Sequence, residues 1–218
     1  MNDVQALIQA RMSSVRLPGK MLAPLKDLPV IDRVIAIAAG VVGISNTIVV
    51  TSTDPSDDPL EAYLSSSGVR VFRGDLENVF RRFVDCLTQY PCCNFFRICG
   101  DSPFLDGNLL REALRRMEQH PQDIITNVFP RTFPKGQSVE LIDAECFLSI
   151  DQDALDDEQR EHVTKVFYRQ PGAYRIGVIR ALNDMSDHPG WCVDTADDLK
   201  RLEATAQRPQ YKDTIAPL

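Results

Sequence analysis

Short apolar runs alternate with segments of helical spacing along this chain of 218 residues. Four runs rich in branched and aromatic side chains have the length of buried strands: Val4–Ile8, Thr47–Thr51, Val69–Phe72 and Asn94–Ile98. The segment after each run repeats its apolar residues at the spacing of a helix face. This order predicts an α/β fold with a three-layer, Rossmann-like, mostly parallel sheet. Functional residues are expected beyond the carboxyl ends of its strands.

Capping signals predict where several helices begin. Asp58 followed by Pro59 is typical of an N-cap and a proline in the first helical turn. Asp106 is expected to cap the helix that follows it. Thr195 and Asp198 have the spacing of a capping box, which predicts a last helix beginning near position 196.

The pattern changes after residue 127. Pro130, Pro134 and Gly136 punctuate a polar stretch, and residues 143–161 carry eight acids but one base, Arg160. We interpret this part as a small inserted lid-like or dimer-forming region. The chain returns to the core through the apolar run 174–179, so we predict a single domain over residues 1–218 with an excursion at 128–190.

Composition limits the classes of partner. A net charge of −7 argues against binding to nucleic acid, because polyanions are bound by basic faces. No stretch has the ~20 consecutive apolar residues of a membrane span, and no leader pattern precedes the first run. We therefore expect a cytoplasmic protein without a membrane partner. The six cysteines contain no C-x-x-C pair and are expected to be buried, reduced thiols.

A cationic loop stands out against this acidic background. Residues 5–26 contain four cations and no acid, and Arg11, Arg16 and Lys20 follow directly after the first predicted strand. Free backbone N–H groups, arginine forks and a lysine charge together favour a polyphosphate cradle. A solvated basic turn is the alternative interpretation.

The loop does not fit the common glycine motifs for nucleotides. Gly19 and Lys20 match the end of a P-loop, but Ser14 stands in place of its first glycine and Met21 in place of its magnesium-binding hydroxyl. The segment also lacks G-x-G-x-x-G. We therefore expect neither a Walker NTPase nor a dinucleotide-binding dehydrogenase.

Seven segments, in order, resemble the spore-coat-polysaccharide-type cytidylyltransferases, which are related to the acylneuraminate and 3-deoxy-manno-octulosonate enzymes. They are "IQARMSSVRLPGK", "TSTDPSDDP", "VFRGDLENVFRRF", "RICGDSPFLD", "RTFPKGQSVE", "REHVTKVF" and "WCVDTADDL". The resemblance runs from residue 8 to about residue 199 and implies the fold of nucleotide-diphospho-sugar transferases. It also implies a reaction in which an acceptor oxygen attacks the α-phosphorus of CTP and pyrophosphate leaves.

The resemblance implies four catalytic residues, Arg11, Lys20, Asp101 and Asp194. Arg11 and Lys20 would neutralise the triphosphate and the leaving pyrophosphate. The two aspartates would bind Mg²⁺, which prefers a few hard oxygen ligands together with substrate phosphates. Each aspartate also has a structural interpretation, because Asp101 suits the end of a turn and Asp194 suits the cap of the last helix.

The resemblance also implies a nucleotide-binding set: Ala10, Arg11, Ser13, Ser14, Arg16, Lys20, Thr51, Ser52, Arg73, Gly74 and Asn78. Backbone N–H groups of residues 11–14 would hold phosphate oxygens, and Arg16 would be a third phosphate contact or an ion-pair partner. Residues 51, 52, 73, 74 and 78 would lie near the base and ribose. Asn78 is equally suited to the first turn of its helix.

The acceptor-binding set implied by the resemblance is Arg131, Lys135, Gln137, Glu140, Arg160 and His162. Where many relatives resemble "RTFPDGLDVE", this chain has "RTFPKGQSVE", so Lys135 and Ser138 replace two acids. The exchange adds three units of positive charge and suggests a more negative acceptor, unless this segment is a surface turn whose charges face solvent. His162 is a binding candidate rather than an assigned base.

These expectations combine into one predicted function. The protein would be an Mg²⁺-dependent homodimer that transfers CMP from CTP to an acidic keto-sugar for surface polysaccharide or glycoconjugate biosynthesis. Two alternatives stay open: transfer to a phosphorylated sugar or phosphonate, and a noncatalytic nucleotide-binding assembly protein.

Overall fold

A seven-stranded sheet forms the centre of the molecule, which we describe from a computed structural model over residues 3–205 and 208–217. Its strands are β1 (Val4–Gln9), β4 (Thr47–Ser52), β5 (Arg70–Gly74), β6 (Asn94–Cys99), β7 (Ile124–Thr126), β8 (Glu140–Asp143) and β9 (Ile176–Val178). Their order is β5-β4-β1-β6-β8-β7-β9, and β8 runs antiparallel to both of its neighbours while the other adjacent pairs are parallel. A small hairpin, β2 (Pro24–Leu25) and β3 (Leu28–Pro29), lies outside this sheet.

All four strands predicted from apolar runs are present, which confirms the mostly parallel α/β fold. The strand β4 is buried along its whole length, and β1 is buried at its four central positions. Continuous burial is expected when helices cover both faces of a sheet.

Eight helices flank the sheet in the described residues. They are α1 (Val30–Val42), α2 (Asp58–Ser66), α3 (Val79–Gln89), α4 (Gly107–Gln119), α5 (Ala144–Leu148), α6 (Asp157–Glu161), α7 (Lys165–Arg169) and α8 (Ala196–Glu203). The apolar faces of α1, α2 and α4 share one core with one face of the sheet, and those of α3, α5 and α7 share a second core with the other face. These are the three predicted layers.

The predicted caps are confirmed at two helices and wrong at a third. The Asp106 carboxylate accepts from the N–H of Asn108, and Thr195 forms a capping box with Asp198. At α2 the cap position is occupied by Asp57, while Asp58 is the first helical residue. Asp57 makes no side-chain cap bond, because its carboxylate is bonded elsewhere.

The segment 128–190 is not set apart from the sheet. It contributes β8, which lies between β6 and β7, and β9 at the sheet edge. Its acid-rich part forms α5, α6 and a short 3₁₀ turn on the face that carries α3 and α7. Within the described residues no helix has the length and apolar character needed to cross a bilayer.

The thiols are free, as expected, but they are not uniformly buried. No disulfide joins the described cysteines, and Cys86 is the buried member of the group. Cys93 is exposed and the other four are half-buried. The expectation of buried thiols was therefore wrong for Cys93, which lies in the turn before β6.

Gly136 allows two distant loops to touch. Its φ is +85°, and a Cβ at this position would lie 2.5 Å from the carbonyl carbon of Trp191 and 2.7 Å from the nitrogen of Cys192. The N–H of Trp191 donates to the oxygen of Lys135 at 2.7 Å, which fixes the contact. This contact holds the segment that leads into Asp194.

We expect Gly136→Ala to destabilise the protein by about 2–5 kcal/mol, because it combines a left-handed backbone with backbone overlap. Gly68→Ala is the matched control, since Gly68 has a φ of +70° but open space around its Cβ. Gly68→Ala should lower the free energy of unfolding by roughly 1 kcal/mol. Chemical denaturation measures both; equal losses would show that the contact with Trp191 is unimportant.

Candidate active site

A cavity of about 390 Å³ opens at the carboxyl ends of β1 and β6, where the alternation of elements predicted a site. It is lined by Gln9, Ala10, Arg11, Ser13, Ser14, Val15, Arg16, Lys20, Met21, Val79, Arg97, Cys99, Asp101, Glu161, His162 and Asp194. The cationic loop forms one wall, and the two predicted aspartates lie in the same cavity. The fold thus brings together two aspartates, Asp101 and Asp194, that are 93 residues apart in the sequence.

Lys20 joins the two aspartates. Its Nζ donates to Oδ2 of Asp101 at 2.7 Å, to Oδ1 of Asp194 at 3.2 Å and to the carbonyl oxygen of Val193 at 2.9 Å. The Lys20 side chain is 8% exposed, whereas the aspartates are 25% and 29% exposed. Burial alone would lower the pKa of Lys20, but the Asp101 and Asp194 carboxylates outweigh it and raise the pKa above its ordinary value.

Asp194 is not the cap of the last helix. Thr195 caps α8, which leaves the Asp194 carboxylate directed to Lys20 and to the Arg16 guanidinium at 2.9 Å. Arg16 therefore forms the ion pair that was one of its two predicted roles. Asp101 follows β6 in a turn, as expected, and its carboxylate faces the cavity.

The two carboxylates fit a small divalent cation. In the described chain, three or more His, Cys, Asp or Glu side chains do not gather into a metal cluster. Two aspartates suffice for Mg²⁺, which takes its remaining ligands from water and phosphate oxygens. The ammonium group of Lys20 already holds Asp101 and Asp194 together, so the pair can share one cation.

The loop backbone is fixed by a carboxylate that the sequence interpretation missed. Asp57 is fully buried, and its oxygens accept from the N–H of Met12 at 2.6 Å and from the N–H and hydroxyl of Ser52. The N–H of Met12 is therefore engaged and cannot hold phosphate, which corrects one of the predicted contacts. Asp57 was missed because its sequence context is that of a helix cap.

Other N–H groups of the loop belong to residues that line the cavity. Within residues 3–205 and 208–217, the backbone N–H groups of Arg11, Ser13 and Ser14 have no hydrogen-bond acceptor. The guanidinium of Arg11 lies 3.8 Å from the Glu161 carboxylate, which reaches the cavity from α6. Unpaired N–H groups beside cations suit an anion.

The residues predicted near the base and ribose do not line this cavity. Thr51 and Ser52 are fully buried at the end of β4, and Arg73 binds Glu61, Asp58 and the oxygens of Ser52 and Asp54. Gly74 admits the side chain of Arg82, whose Cγ would be 2.9 Å from an added Cβ. Asn78 caps α3 and also lines an adjoining cavity of about 600 Å³.

The predicted acceptor residues fall into different environments. His162 lines the main cavity and Arg160 the adjoining one. Lys135 is exposed and lines neither, so the surface-turn alternative holds for it. Ser138 accepts from Arg131 at 3.1 Å.

Gln137 belongs to the scaffold. It is fully buried, its Oε1 accepts from the N–H of Asp106 at 2.9 Å, and its Nε2 donates to the oxygen of Phe104 at 2.8 Å. Both ends of the amide are therefore engaged with backbone rather than directed into the cavity. Glu140 is also buried, but it pairs with Arg97, which lines the cavity.

Two arginines, Arg97 half-buried and Arg82 fully buried, were missed from the sequence. Arg97 lies at the floor of the cavity. Arg82 is fully buried in α3, and its Nε and Nη1 have no partner in the described residues. Burial and the charge of Arg11 lower the pKa of Arg82 to about 10. Neither was distinguishable in sequence from ordinary surface arginines such as Arg81.

The comparison with known proteins agrees with this geometry. A family model described as "Cytidylyltransferase" matches residues 5–207. The chain belongs to the cytidylyltransferase family. The resemblance of the seven segments is thereby confirmed, and the protein is an enzyme of nucleotidyl transfer.

Three known proteins are similar to this cytidylyltransferase. It is 33% identical over 214 residues to the spore coat polysaccharide biosynthesis protein SpsF of Bacillus subtilis, across 95% of this chain and 88% of that protein. A solved cytidylyltransferase of Leptospira borgpetersenii superposes with a TM-score of 0.87 at 26% identity, covering 93% and 86% of the two chains. A CMP:2-keto-3-deoxy-manno-octonic acid synthetase solved with CTP shares the fold, with a TM-score of 0.70 at 19% identity over 93% and 97%.

We expect Arg82→Met to stabilise the cytidylyltransferase by about 1 kcal/mol, because it replaces a poorly paired buried charge by an apolar side chain of similar length. The melting temperature without nucleotide should rise by about 2–4 °C. Arg81→Met is the matched control, since Arg81 is exposed and pairs with Asp85. A lower melting temperature for Arg82→Met than for Arg81→Met would contradict this account.

Proposed function

We propose that this cytidylyltransferase transfers CMP from CTP to an acidic keto-sugar, with release of pyrophosphate, to activate a precursor of a surface polysaccharide or glycoconjugate. The observation that carries the proposal is the convergence of Asp101 and Asp194 on Lys20 in a cavity walled by the cationic loop. The similarity to SpsF supports the polysaccharide context.

The cationic loop suits the triphosphate. Arg11, Arg16 and Lys20 offer three positive charges, and the N–H groups of Ser13 and Ser14 offer neutral donors on the same wall. Cations held beside a leaving pyrophosphate stabilise the charge that develops on it in the transition state. Lys20 is held in place before the substrate binds, which would help to position the α-phosphorus for in-line attack.

Asp101 and Asp194 would hold Mg²⁺ as the cofactor. When bound, the ion would supply charge neutralisation at phosphate and polarise the reacting oxygens. Lys20 is then the group best placed to exchange its two carboxylate partners for phosphate oxygens, since its Nζ lies within 3.2 Å of both. Arg16 can make the same exchange, because its side chain is 64% exposed and its one ion pair among the described residues is with Asp194.

The cavity lining carries more positive than negative side chains, which favours anionic substrates. It contains four cations, Arg11, Arg16, Lys20 and Arg97, against the three carboxylates of Asp101, Glu161 and Asp194. Two of those carboxylates would be occupied by the metal. The exposed Lys135 adds no charge to this lining, so a phosphorylated acceptor gains no support from it. Homodimerisation and a cytoplasmic location stay predictions.

Pyrophosphate release tests the proposal directly. The protein is mixed with each of the four NTPs, Mg²⁺ and a panel of acidic keto-sugars, sugar phosphates and phosphonates. We expect release with CTP and an acidic keto-sugar, and none with that sugar and the other NTPs. CTP binding without release from any acceptor would instead favour a noncatalytic nucleotide-binding protein.

Asp101→Asn and Asp194→Asn should each lower kcat by about 10³-fold or more, because each removes one charge from the proposed metal site. Asp197→Asn is the matched control: Asp197 lies three residues beyond Asp194 but is 94% exposed on α8. CTP affinity is measured in parallel by calorimetry. Activity of Asp101→Asn within tenfold of the unaltered protein would remove Asp101 from the mechanism.

A further inference from the structure

A row of polar side chains crosses the sheet beneath the cavity. On the face that carries α3 and α7, the strands bury an apolar row of Leu7, Phe95, Ile124 and Ile142. Two positions away on each strand the side chains become polar: Gln9 follows Leu7, Arg97 follows Phe95, Thr126 follows Ile124, and Glu140 precedes Ile142 on the antiparallel strand β8. Gln9 is opposite Cys99 in the register and reaches Arg97 diagonally. The family reaction as proposed above leaves this row without a role.

Arg97 has more donors than its neighbours can accept. Its Nε and Nη2 donate to Oε1 of Gln9 at 3.2 and 2.8 Å, and its Nη1 donates to Oε2 of Glu140 at 3.3 Å. A guanidinium carries five N–H groups, two on each terminal nitrogen. Within the described residues, one N–H on Nη1 and one on Nη2 therefore have no acceptor. Arg97 lines the cavity, so these donors have access to a ligand.

The carboxylate of Glu140 is held by its neighbours and is not free to bind a ligand. Its Oε1 accepts from the hydroxyl of Tyr168 at 2.7 Å while its Oε2 faces Arg97, and the carboxylate is 4% exposed. The Tyr168 hydroxyl in turn lies 2.9 Å from Oγ1 of Thr126. Glu140 and Gln9 thus brace the Arg97 guanidinium from two sides, which fixes its direction before any ligand binds.

The charge of Arg97 persists despite its burial. Burial would lower its pKa, but the neighbouring Cys99 and Glu140 raise the pKa above its ordinary value. A fixed, charged guanidinium with one spare N–H on each terminal nitrogen is suited to two oxygens of one anionic group.

The surroundings of Arg97 suit an anionic group of the acceptor better than the triphosphate of CTP. The triphosphate has its own cations on the loop wall, Arg11, Arg16 and Lys20, whereas Arg97 is braced by Glu140 of β8. The Glu140 carboxylate lies 3.3 Å from Nη1 of Arg97. It repels a polyanion more strongly than it repels a group with a single negative charge. Tyr168, which holds Glu140, belongs to α7 in the segment that follows β8.

We propose that Arg97 binds the carboxylate of the acceptor sugar through its two terminal nitrogens, with Gln9, Glu140 and Tyr168 as positioning residues. This inference rests on the proposed function and names the residue that selects an acidic acceptor. It adds a specificity determinant on β6, in the same cavity as the cationic loop.

The test compares acids with their neutral esters. N-acetylneuraminate, 3-deoxy-manno-octulosonate and the methyl ester of each are assayed as acceptors with CTP and Mg²⁺ on the full chain. We expect Arg97→Gln to raise KM for an accepted acid by about 10- to 100-fold, the loss typical of hydrogen bonds to a charged group. KM for the ester should stay within twofold, as should the Kd for CTP.

Two further variants separate binding from folding. The double variant Arg97→Gln with Glu140→Gln leaves no unpaired buried charge and should show the same rise in KM with an unchanged melting temperature. Arg97→Lys keeps the charge but loses the second terminal nitrogen, and should recover part of the affinity. Arg115→Gln on α4 is the control arginine, because it is exposed and pairs with Glu112 outside the cavity.

The outcomes distinguish the two proposals. If the unaltered enzyme uses an acid but Arg97→Gln leaves its KM unchanged, or raises KM equally for acid and ester, the assignment of Arg97 is overturned while the proposed function stands. If Arg97→Gln instead raises the Kd for CTP and leaves the KM for the acid unchanged, Arg97 binds phosphate, and the assignment of Arg97 to the acceptor is also overturned. Binding of the acid is also measured with a CTP analogue that has a methylene bridge between the α and β phosphorus atoms. If the unaltered enzyme does not turn over any of the acids and does not bind one in the presence of this analogue, both proposals fail.

Discussion

The ammonium group of Lys20 is the contact on which the site depends. It joins three stretches that lie far apart in the chain: the loop after β1, the turn after β6 and the segment before α8. Without a cation between them, the carboxylates of Asp101 and Asp194 would repel each other in a partly buried position. A positive charge is therefore needed at this point in the free protein, and the same requirement makes the pair receptive to a metal.

Packing far from the carboxylates determines where they lie. Gly136 lets the backbone at Trp191 approach closely, which directs the next residues toward Asp101, whose carbonyl accepts from the N–H of Val193 at 2.8 Å. Asp57 fixes the loop from below by binding Met12 and Ser52. The loop and the aspartates thus meet because buried polar contacts fix both. These contacts allow a protein with net charge −7 to hold several cations close together on one wall of the cavity.

The sequence predicted the sheet well because its strands are buried on both faces. Apolar runs such as Thr47–Thr51 leave little choice of structure, and local capping signals located α4 and α8. Asp101 and Asp194 were found through family segments, since each on its own resembles a turn or cap residue. The burial of Gln137 was not foreseen, because nothing in its sequence context shows that the backbone around Asp106 and Phe104 would enclose it.

The residues that sequence reasoning missed are those whose environment is made by distant strands. In the sequence Arg97 is a polar position in an apolar run, and its environment is apparent only when β8 brings Glu140 beside it. Arg82 is adjacent to Arg81 in the same helix, yet one is buried and the other exposed, because a glycine on β5 makes room for one of them. Such contacts carry no local signal, unlike caps and strand runs.

The most direct measurement is a crystal structure of the protein with CTP and Mn²⁺, with the metal located by its anomalous scattering. The account predicts one metal ion within about 2.0–2.3 Å of oxygens from both Asp101 and Asp194. Lys20 should then have left at least one carboxylate for a phosphate oxygen. A metal bound by phosphates alone, with Lys20 still joining both aspartates, would contradict the central claim.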